Sequence, residues 1–367
     1  MVPIVDSRTI REAALAAGAD TVGFTSADPF SAALTTMRRR KERGMAGPLH
    51  FTYEQPETST DIRRSFPWAR SLVVLGASYI ADAPPPAEFG PVIGLFATRD
   101  HYQRVRDAAT AVVTHIQDAG GRADMMVDDD RLVDRAAAVR AGVGWIGRST
   151  MVLTPGHGPW QLFGSVVTDL DLAETPPMRR TCGTCVACIP ACPTGAITDD
   201  GLDARLCIST WLQSSGPLPH WIRPLVERRI YGCDDCLTSC PPGSPAMQAS
   251  PATTEEQSFV ELLGLGDDEL VDRFDWFYIP HREARFLRRN LLVAAGNSGE
   301  ADAVPAILDH FSHRSSLVRG HAYWALARSL GVHAWAHLRG AYDDETVPDG
   351  RAELEMAMMM LREPHGS

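Results

Sequence analysis

The sequence predicts an α+β protein built from three parts, and three observations lead to this prediction. Residues 1–175 mix helical patterns with short apolar segments that are typical of buried strands. The next part, 176–245, carries every cysteine of the chain. The last part, 255–367, has helical periodicity and a weak internal repeat. A length of 367 residues with 44% hydrophobic content is enough for two or three domains with cores of their own.

The first part reads as an α/β domain. A helix is predicted over Arg8–Ala17, and an apolar run follows at Thr21–Phe24. Ser71–Leu75 is almost continuously apolar and contains β-branched residues, which predicts an internal strand. Helical periodicity covers Arg99–Ala119, and the alanine- and arginine-rich segment Arg131–Ala141 predicts a further helix.

All eight cysteines lie between Cys182 and Cys240, in two sets. The first set reads Cys-x2-Cys-x2-Cys-x3-Cys-Pro, and the second ends in Cys-x2-Cys-x3-Cys-Pro. This spacing is typical of bacterial ferredoxins with two [4Fe–4S] clusters, in which the fourth cysteine of a run ligates the other cluster. We therefore expect a ferredoxin-like domain with two clusters. One cluster is predicted to be bound by Cys182, Cys185, Cys188 and Cys240, and the other by Cys192, Cys207, Cys233 and Cys236.

Disulfides and structural zinc are the alternative uses of these cysteines. Disulfides need an oxidising compartment, and the N-terminal sequence lacks the basic segment and long apolar segment of a secretory signal. No apolar stretch reaches roughly 18 residues, so we expect a cytoplasmic protein without a membrane partner. Paired zinc sites also use Cys-x2-Cys spacing, but three cysteines followed by x3-Cys-Pro favour iron–sulfur clusters.

The charge distribution bears on nucleic-acid binding. A net charge of −11 argues against broad attraction to a phosphate backbone, although a local basic stripe can still bind one. Arg282, Arg285, Arg288 and Arg289 form such a stripe in the helical part. We predict an RNA backbone contact there, and a solvated helix face is the alternative.

The helical part contains a weak repeat. Asn290–Gly299 resembles Ala322–Gly331, and Arg319 recurs as Arg351, all at a spacing of 32 residues. This period predicts stacked helix pairs of the HEAT type, which form surfaces for extended partners.

A glycine motif follows the helix predicted over Arg131–Ala141. Gly142, Gly144 and Gly147 match G-x-G-x-x-G, the phosphate-binding pattern of dinucleotide-binding domains. That pattern requires a preceding strand, whereas the residues before Gly142 are helix formers. We interpret the motif as a loop whose glycines let the backbone approach a large planar ligand.

An acidic triplet, Asp128, Asp129 and Asp130, precedes the same helix. Aspartates at this place commonly cap a helix and are otherwise solvated. A buried member with a raised pKa would instead serve as a proton donor. The sequence alone leaves both readings open.

The cysteine run, together with Gly-Cys-Asp-Asp-Cys at 232–236, closely resembles the epoxyqueuosine reductase family. The resemblance extends over nearly the whole chain. It includes Val127-Asp128, Ala141–Gly147, Gly158–Trp160 and Arg289–Asn297.

The resemblance implies a cobalamin-dependent enzyme with two [4Fe–4S] clusters that acts on tRNA. The cobalamin would be base-off and would lie over the N-terminal α/β domain, and an external low-potential donor would supply electrons through the clusters. The substrate would be epoxyqueuosine in the tRNA anticodon stem-loop, which is reduced to queuosine. By the same resemblance Asp128 supplies the proton. The cofactor contacts are expected at Gly142, Gly144, Trp145, Gly147 and Trp160.

The chain departs from the family pattern at several positions. Arg131, Asp134, Ser165 and Pro242-Gly243 replace the usual residues of the family. Two other functions therefore stay open. One is a divergent corrinoid and iron–sulfur reductase for a small-molecule electrophile, and the other is a two-cluster electron-transfer protein without corrinoid.

Overall fold

The structure is a computed structural model that describes residues 6–48, 51–80, 89–248 and 257–361. The predicted linker Pro241–Thr254 lies partly outside them, and its described part is helical: a 3-10 turn at Pro241–Gly243 leads into a short helix.

The helices are α1 Ser7–Ala16, α2 Ser31–Glu42, α3 Phe51–Glu54, α4 Pro56–Ser59, α5 Tyr102–Asp118, α6 Asp134–Arg140, α7 Cys188–Ala191, α8 Ile208–Leu212, α9 Arg223–Val226, α10 Asp235–Thr238, α11 Ser244–Gln248, α12 Phe259–Gly264, α13 Asp267–Arg273, α14 Ala284–Ser298, α15 Ala303–Asp309, α16 Ser316–Leu330, α17 Trp335–Ala341 and α18 Pro348–Met360. The strands are β1 Thr21–Ser26, β2 Ser71–Ser78, β3 Val92–Ile93, β4 Ala123–Val127, β5 Trp145–Ile146, β6 Val152–Leu153, β7 Gln161–Thr168, β8 Ile197–Thr198, β9 Gly201–Leu202 and β10 Arg229–Tyr231.

The chain divides into two compact units, each assembled from separate segments. Unit 1 comprises Met1–Ala83, Thr98–Cys207 and Asp234–Ala252, and it contains the sheet and most of the cysteine segment. Unit 2 comprises Pro84–Ala97, Ile208–Cys233 and Thr253–Ser367. The division into three consecutive domains stays a prediction.

Unit 1 is organised around a four-stranded sheet of order β1-β2-β7-β4, in which every neighbouring pair is antiparallel. The predicted internal strand is confirmed, because β2 pairs with β1 on one side and β7 on the other and is buried along all its residues. Pairing of Ser71 with Thr168 and of Ala123 with Thr168 aligns one end of the sheet. At the other end, β4 stops at Val127, directly before the acidic triplet.

Helices cover both faces of this sheet. Ile10 of α1 and Val112 and Ile116 of α5 pack on one face, and Ala137 and Ala138 of α6 pack on the other. The predicted helices over Arg8–Ala17 and Arg99–Ala119 correspond to α1 and α5.

The helix predicted over Arg131–Ala141 begins three residues later than expected, at Asp134. Its residue before the first turn is Val133, so no member of the acidic triplet caps α6. A local turn takes up the preceding residues instead, since the backbone N–H of Arg131 donates to the Asp129 carboxylate at 2.9 Å. The helix-capping alternative for the triplet is therefore wrong.

Unit 2 is mainly helical, and its long helices follow the repeat found in the sequence. The helices α14, α16 and α18 begin at Ala284, Ser316 and Pro348, which are 32 residues apart. Each packs against the next, and Gly296 of α14 allows the approach because a Cβ there would lie 2.7 Å from the Cα of Ala325. These helices build one large apolar core. The assignment to the HEAT type stays a prediction.

The predicted basic stripe is only partly a surface, since Arg282 and Arg285 are exposed and the other two arginines are not. Arg288 and Arg289 are buried, with 4% and 0% of their surface exposed. The guanidinium of Arg288 donates to Asp267 at 2.7 Å, and that of Arg289 donates to the carbonyl oxygens of Trp211 and Ser214 at 2.9 and 2.6 Å. These two arginines hold unit 2 together and cannot reach an RNA backbone.

In the described parts of the chain, no helix has both the length and the apolar composition needed to cross a membrane.

Candidate functional site

None of the eight cysteines forms a disulfide in the structure. Their thiols are therefore all available as ligands. The disulfide alternative has no support from the geometry.

The four cysteines of the first predicted ligand set all belong to unit 1, and their assignment to one cluster stays a prediction. Burial raises the pKa of the Cys240 thiol to about 11, and the nearby thiols of Cys182, Cys188 and Cys185 contribute to this increase. Thiols whose charges shift one another's pKa lie close in space, although Cys240 is distant from the other three in sequence. A positively charged iron–sulfur core would remove this repulsion, because it binds the thiols as thiolates.

The four cysteines of the second predicted set lie between residues 192 and 236 of the sequence. Cys192 accepts a hydrogen bond from the backbone N–H of Ala196 at 3.3 Å. Helix α7, which starts at Cys188, packs against α10, which contains Cys236. Cys207 and Cys233 are partly buried, and Cys233 ends a segment of unit 2 at the point where the chain returns to unit 1. The ligand assignment of this second cluster stays a prediction.

Sequence reasoning missed Arg148, which contacts the first ligand set. Its backbone N–H donates to the Cys182 sulfur at 3.4 Å. Its guanidinium donates to the carbonyl oxygens of Cys185 and Gly183 at 3.0 and 3.2 Å. Hydrogen bonds to cluster sulfurs and nearby charge tune reduction potentials, so Arg148 is placed to influence this cluster. Its position directly after the glycine motif was the available signal.

Asp128 lies just beyond the end of β4 in an unusual backbone conformation. Its φ angle of 53° is in the left-handed region, which aspartate tolerates better than most residues. Its side chain is accessible from solvent, yet enough protein surrounds it that desolvation raises the pKa of its carboxyl. The positive charge of Arg106 opposes this increase, and the negative charge of Asp129 adds to it. An accessible carboxyl that retains its proton more readily is what proton delivery requires.

The two neighbouring carboxylates behave differently. Hydrogen bonds from the Arg131 guanidinium, at 2.8 and 2.5 Å, lower the pKa of Asp129. Burial raises the pKa of Asp134 well above its usual range, and the charge of Asp128 raises it further. The site thus separates one carboxyl with a lowered pKa, Asp129, from two carboxyls with raised pKa values, Asp128 and Asp134.

The glycine motif is used by the chain's own packing. It lies between helix α6 and the β5–β6 hairpin, so the strand-before-motif arrangement of a dinucleotide-binding domain is absent from this described segment. A Cβ at Gly142 would collide with the backbone of Pro176, and one at Gly144 would lie 2.5 Å from the Leu153 carbonyl oxygen. The missing side chains of these two glycines therefore serve contacts within the protein.

Trp160 is enclosed by protein and supports the segment behind the last cysteine. Its indole is fully buried, and its N–H donates to the carbonyl oxygen of Gly243 at 3.1 Å. Its ring meets that of Tyr79 edge-on, with 5.9 Å between the centroids. Since no face of the indole is free, the expected direct contact of Trp160 with a cofactor is not seen. Its role is to position the chain after Cys240.

A cavity of about 440 Å³ lies beside the first cysteine. The indole N–H of Trp145 and the hydroxyl of Thr154 are buried there without a hydrogen-bond partner. Two unsatisfied polar atoms at one cavity are costly unless a polar ligand or water satisfies them. Trp145 therefore remains a candidate for cofactor contact. The cavity is lined by Trp145, Thr154, Pro155, Gly156, Arg180, Thr181 and Pro242.

Comparison with known proteins agrees with the cysteine chemistry. Residues 181–243 match the family model of the 4Fe-4S double cluster binding domain, which spans all eight cysteines. This segment of the protein is therefore a double-cluster iron–sulfur domain.

Curated relatives are similar to this chain well beyond the cysteine segment. The chain is 29% identical over 357 residues to the epoxyqueuosine reductase of Staphylococcus aureus, with 92% of each chain covered. It is 28% identical over 373 residues to the enzyme of Bacillus subtilis, with 96% of this chain and 95% of the relative covered. The chain is a homologue of the epoxyqueuosine reductases over most of its length.

Solved structures of epoxyqueuosine reductases are also similar to this chain over most of its length. An epoxyqueuosine reductase bound to an epoxyqueuosine-modified tRNA-Tyr stem loop superimposes with a TM-score of 0.85 at 26% identity, covering 97% of this chain and 98% of that one. The Bacillus subtilis enzyme, with its catalytic aspartate loop swung out of the active site, gives a TM-score of 0.86 at 25% identity, covering 96% and 98%.

Proposed function

We propose that this chain reduces epoxyqueuosine to queuosine in the anticodon loop of tRNA. The proposal rests on the combination of sequence similarity, cysteine spacing and the surroundings of Asp128. A chain similar over most of its length to epoxyqueuosine reductases has eight cysteines outside disulfides at two-cluster spacing and an accessible, partly desolvated Asp128. The tRNA stem-loop as partner and cobalamin as cofactor are parts of this proposal.

The overall reaction sets what the protein must supply. Opening an epoxide and releasing its oxygen as water leaves an alkene and consumes two electrons and two protons. Two [4Fe–4S] clusters, which each carry one electron at a time, suit this demand. Cobalamin, when bound, supplies the strong nucleophile that such a ring opening needs.

The residues of the chain then have distinct roles. Asp128 carries a proton on its carboxyl and donates it to the epoxide oxygen as the carbon–oxygen bond breaks. Arg131 keeps Asp129 ionised, so that Asp129 does not compete as the acid. Cys182, Cys185, Cys188 and Cys240 hold the cluster next to the Trp145 cavity.

The residues at this cavity fit part of a large polar cofactor. Trp145 and Thr154 line the cavity, and each has a buried polar atom without a hydrogen-bond partner, an N–H donor and a hydroxyl. A volume of about 440 Å³ takes a portion of cobalamin rather than the whole molecule. We expect these two side chains to bind polar groups at the edge of the cofactor.

The decisive experiment compares two aspartate variants of the anaerobically reconstituted protein. Asp128→Asn preserves the shape of the side chain and tolerates the left-handed backbone, but it cannot donate an acidic proton. With cobalamin and a strong chemical reductant, we expect it to convert an epoxyqueuosine-containing stem-loop about 100- to 10,000-fold more slowly than the wild type. Asp130→Asn, which alters the exposed neighbour, is the matched control and retains the wild-type rate.

Each result has a definite meaning. No conversion by the wild-type protein under these conditions refutes the proposed substrate. A cobalamin titration followed by absorbance then separates a reductase of another electrophile, which binds the corrinoid, from an electron carrier, which does not. Normal turnover by Asp128→Asn assigns the acid to another group.

A further inference from the structure

The loop that carries the first ligand set is open to solvent. Cys185 is the one exposed residue among the eight cysteines, and Thr184 and Val186 on either side of it are also exposed. A cluster bound here therefore has an edge near the protein surface, where an external redox partner can approach it.

The surface around this loop is basic and partly apolar. The side chain of Arg148 reaches across the loop through its bonds to Cys185 and Gly183, and Arg179 lies three residues before Cys182. Ile146 and Val186 are 50% and 49% exposed, so two aliphatic side chains lie at the surface of this region. We call Ile146, Arg148, Arg179 and Val186 the arginine patch.

The charge of the patch is uncompensated. The segments 141–160 and 175–198, which build this region, contain three arginines and no aspartate or glutamate, in a chain with 46 acidic residues. Within the described residues, Arg148 and Arg179 pair with no carboxylate. In a protein of net charge −11, this basic region is a local exception, and it would attract an acidic partner electrostatically.

We propose that the arginine patch docks a small acidic one-electron carrier protein, which reduces the cluster held by Cys182, Cys185, Cys188 and Cys240. The inference rests on the proposed function, which requires an external donor. In each encounter the reduced carrier loses one electron and the oxidised cluster gains one, so that two encounters supply the pair that the reaction consumes.

The composition of the patch fits such a partner. Redox encounters are brief and use small interfaces, in which a few apolar side chains surrounded by charge are sufficient. Opposite charge steers the carrier and fixes its orientation, which raises the association rate more than the affinity. RNA would also be attracted to arginines, but the exposed cluster loop and the two aliphatic side chains favour a redox protein.

The test measures cluster reduction directly, without tRNA. Reconstituted protein is mixed in a stopped-flow instrument with a reduced plant-type [2Fe–2S] ferredoxin, and bleaching of the cluster absorbance is followed. The double variant Arg179→Glu/Val186→Glu changes exposed side chains only. At low salt we expect it to be reduced at least about tenfold more slowly than the wild type, and the two rates should converge as salt screens the charges.

A matched control has the same change of charge elsewhere in unit 1. Arg8→Glu/Leu15→Glu replaces an exposed arginine and an exposed aliphatic residue of α1, and it should be reduced at the wild-type rate. Reduction by photoexcited deazaflavin, which needs no protein docking, should be equal in all three proteins and shows that the clusters are intact.

Two outcomes overturn the proposal. One is a ferredoxin reaction of Arg179→Glu/Val186→Glu as fast as that of the α1 control. The other is a loss of tRNA stem-loop binding by this variant with unchanged ferredoxin reduction, which would assign the patch to RNA. Failure of the wild type to convert epoxyqueuosine would refute the proposed function and leave these reduction rates measurable.

Discussion

Pairs of cysteine substitutions test the arrangement of the two clusters. We predict that Cys240 shares a cluster with Cys182, Cys185 and Cys188, whose charges contribute to its raised pKa, so Cys240→Ala should break one quartet and leave the other complete. With four irons per cluster, we expect the iron content to fall from about eight to about four per chain.

The double variants give the sharper result. Cys188→Ala/Cys240→Ala removes two ligands of the same quartet, so about four irons should remain, as in the single variant. Cys236→Ala/Cys240→Ala removes one ligand from each quartet, and almost no iron should remain. The effects of two substitutions are thus non-additive within a quartet and additive between quartets.

The assay is iron and sulfide quantification after anaerobic reconstitution, together with electron paramagnetic resonance of the reduced protein. Far-ultraviolet circular dichroism controls for folding, since the four-stranded sheet of unit 1 contains no cysteine. If Cys188→Ala/Cys240→Ala lost all iron while Cys236→Ala/Cys240→Ala kept half, the partition would be refuted. Bound zinc in place of iron would refute the cluster interpretation as a whole.

Two further predictions concern charge. Burial acts to raise the pKa of Glu353, but hydrogen bonds from His220 and Arg223 outweigh it and lower the pKa from 4.5 to about 2. A difference of this size corresponds to about 3 kcal/mol, so Glu353→Gln should lower the free energy of unfolding by about that amount at pH 7, measured by urea denaturation. The wild type should lose this contribution as the pH falls from about 4.5 towards 2, and a variant with unchanged stability would contradict the reasoning. Because the charge of Arg106 opposes the raised pKa of Asp128, Arg106→Gln should raise that pKa further and move the alkaline limit of turnover to higher pH; a shift to lower pH would exclude Asp128 as the acid.

The elements that the sequence predicted are those with strong local patterns. The amphipathic helices α1 and α5 and the apolar strand β2 lie close to their expected bounds. The strands β4 and β7 were missed. Part of β4 is exposed, and β7 contains glycine and serine, so neither has a clear alternation of apolar and polar residues.

The basic stripe shows why burial of long side chains is hard to predict. Arg289 is fully buried, and its guanidinium bonds to carbonyl oxygens of Trp211 and Ser214, which are far away in sequence. The local sequence around Arg289 does not indicate that these acceptors lie close to it in space. The double-cluster domain, in contrast, was predictable because the spacing of the cysteines is typical of it.

The departures from the resembled family have different structural explanations. Gly243 lies so close to Trp160 that a Cβ would be 2.5 Å from the indole nitrogen, and Gly158 approaches the same backbone. A larger residue at 243 would displace the indole whose N–H bonds to this segment, so the glycine fits its surroundings. Ser165 has a buried hydroxyl without a partner, and nothing in the structure explains it.

Arg131 and Pro242 affect the site more directly. Arg131 pairs with Asp129 and leaves Asp128 as the accessible carboxyl with a raised pKa, so this departure is compatible with the role proposed for Asp128. Pro242 forms part of the cavity wall beside Trp145. The departures thus leave the thiols and the acid unchanged and alter the space beside the first cluster. Differences in ligand or substrate preference from other members should therefore arise at this cavity rather than in the electron path.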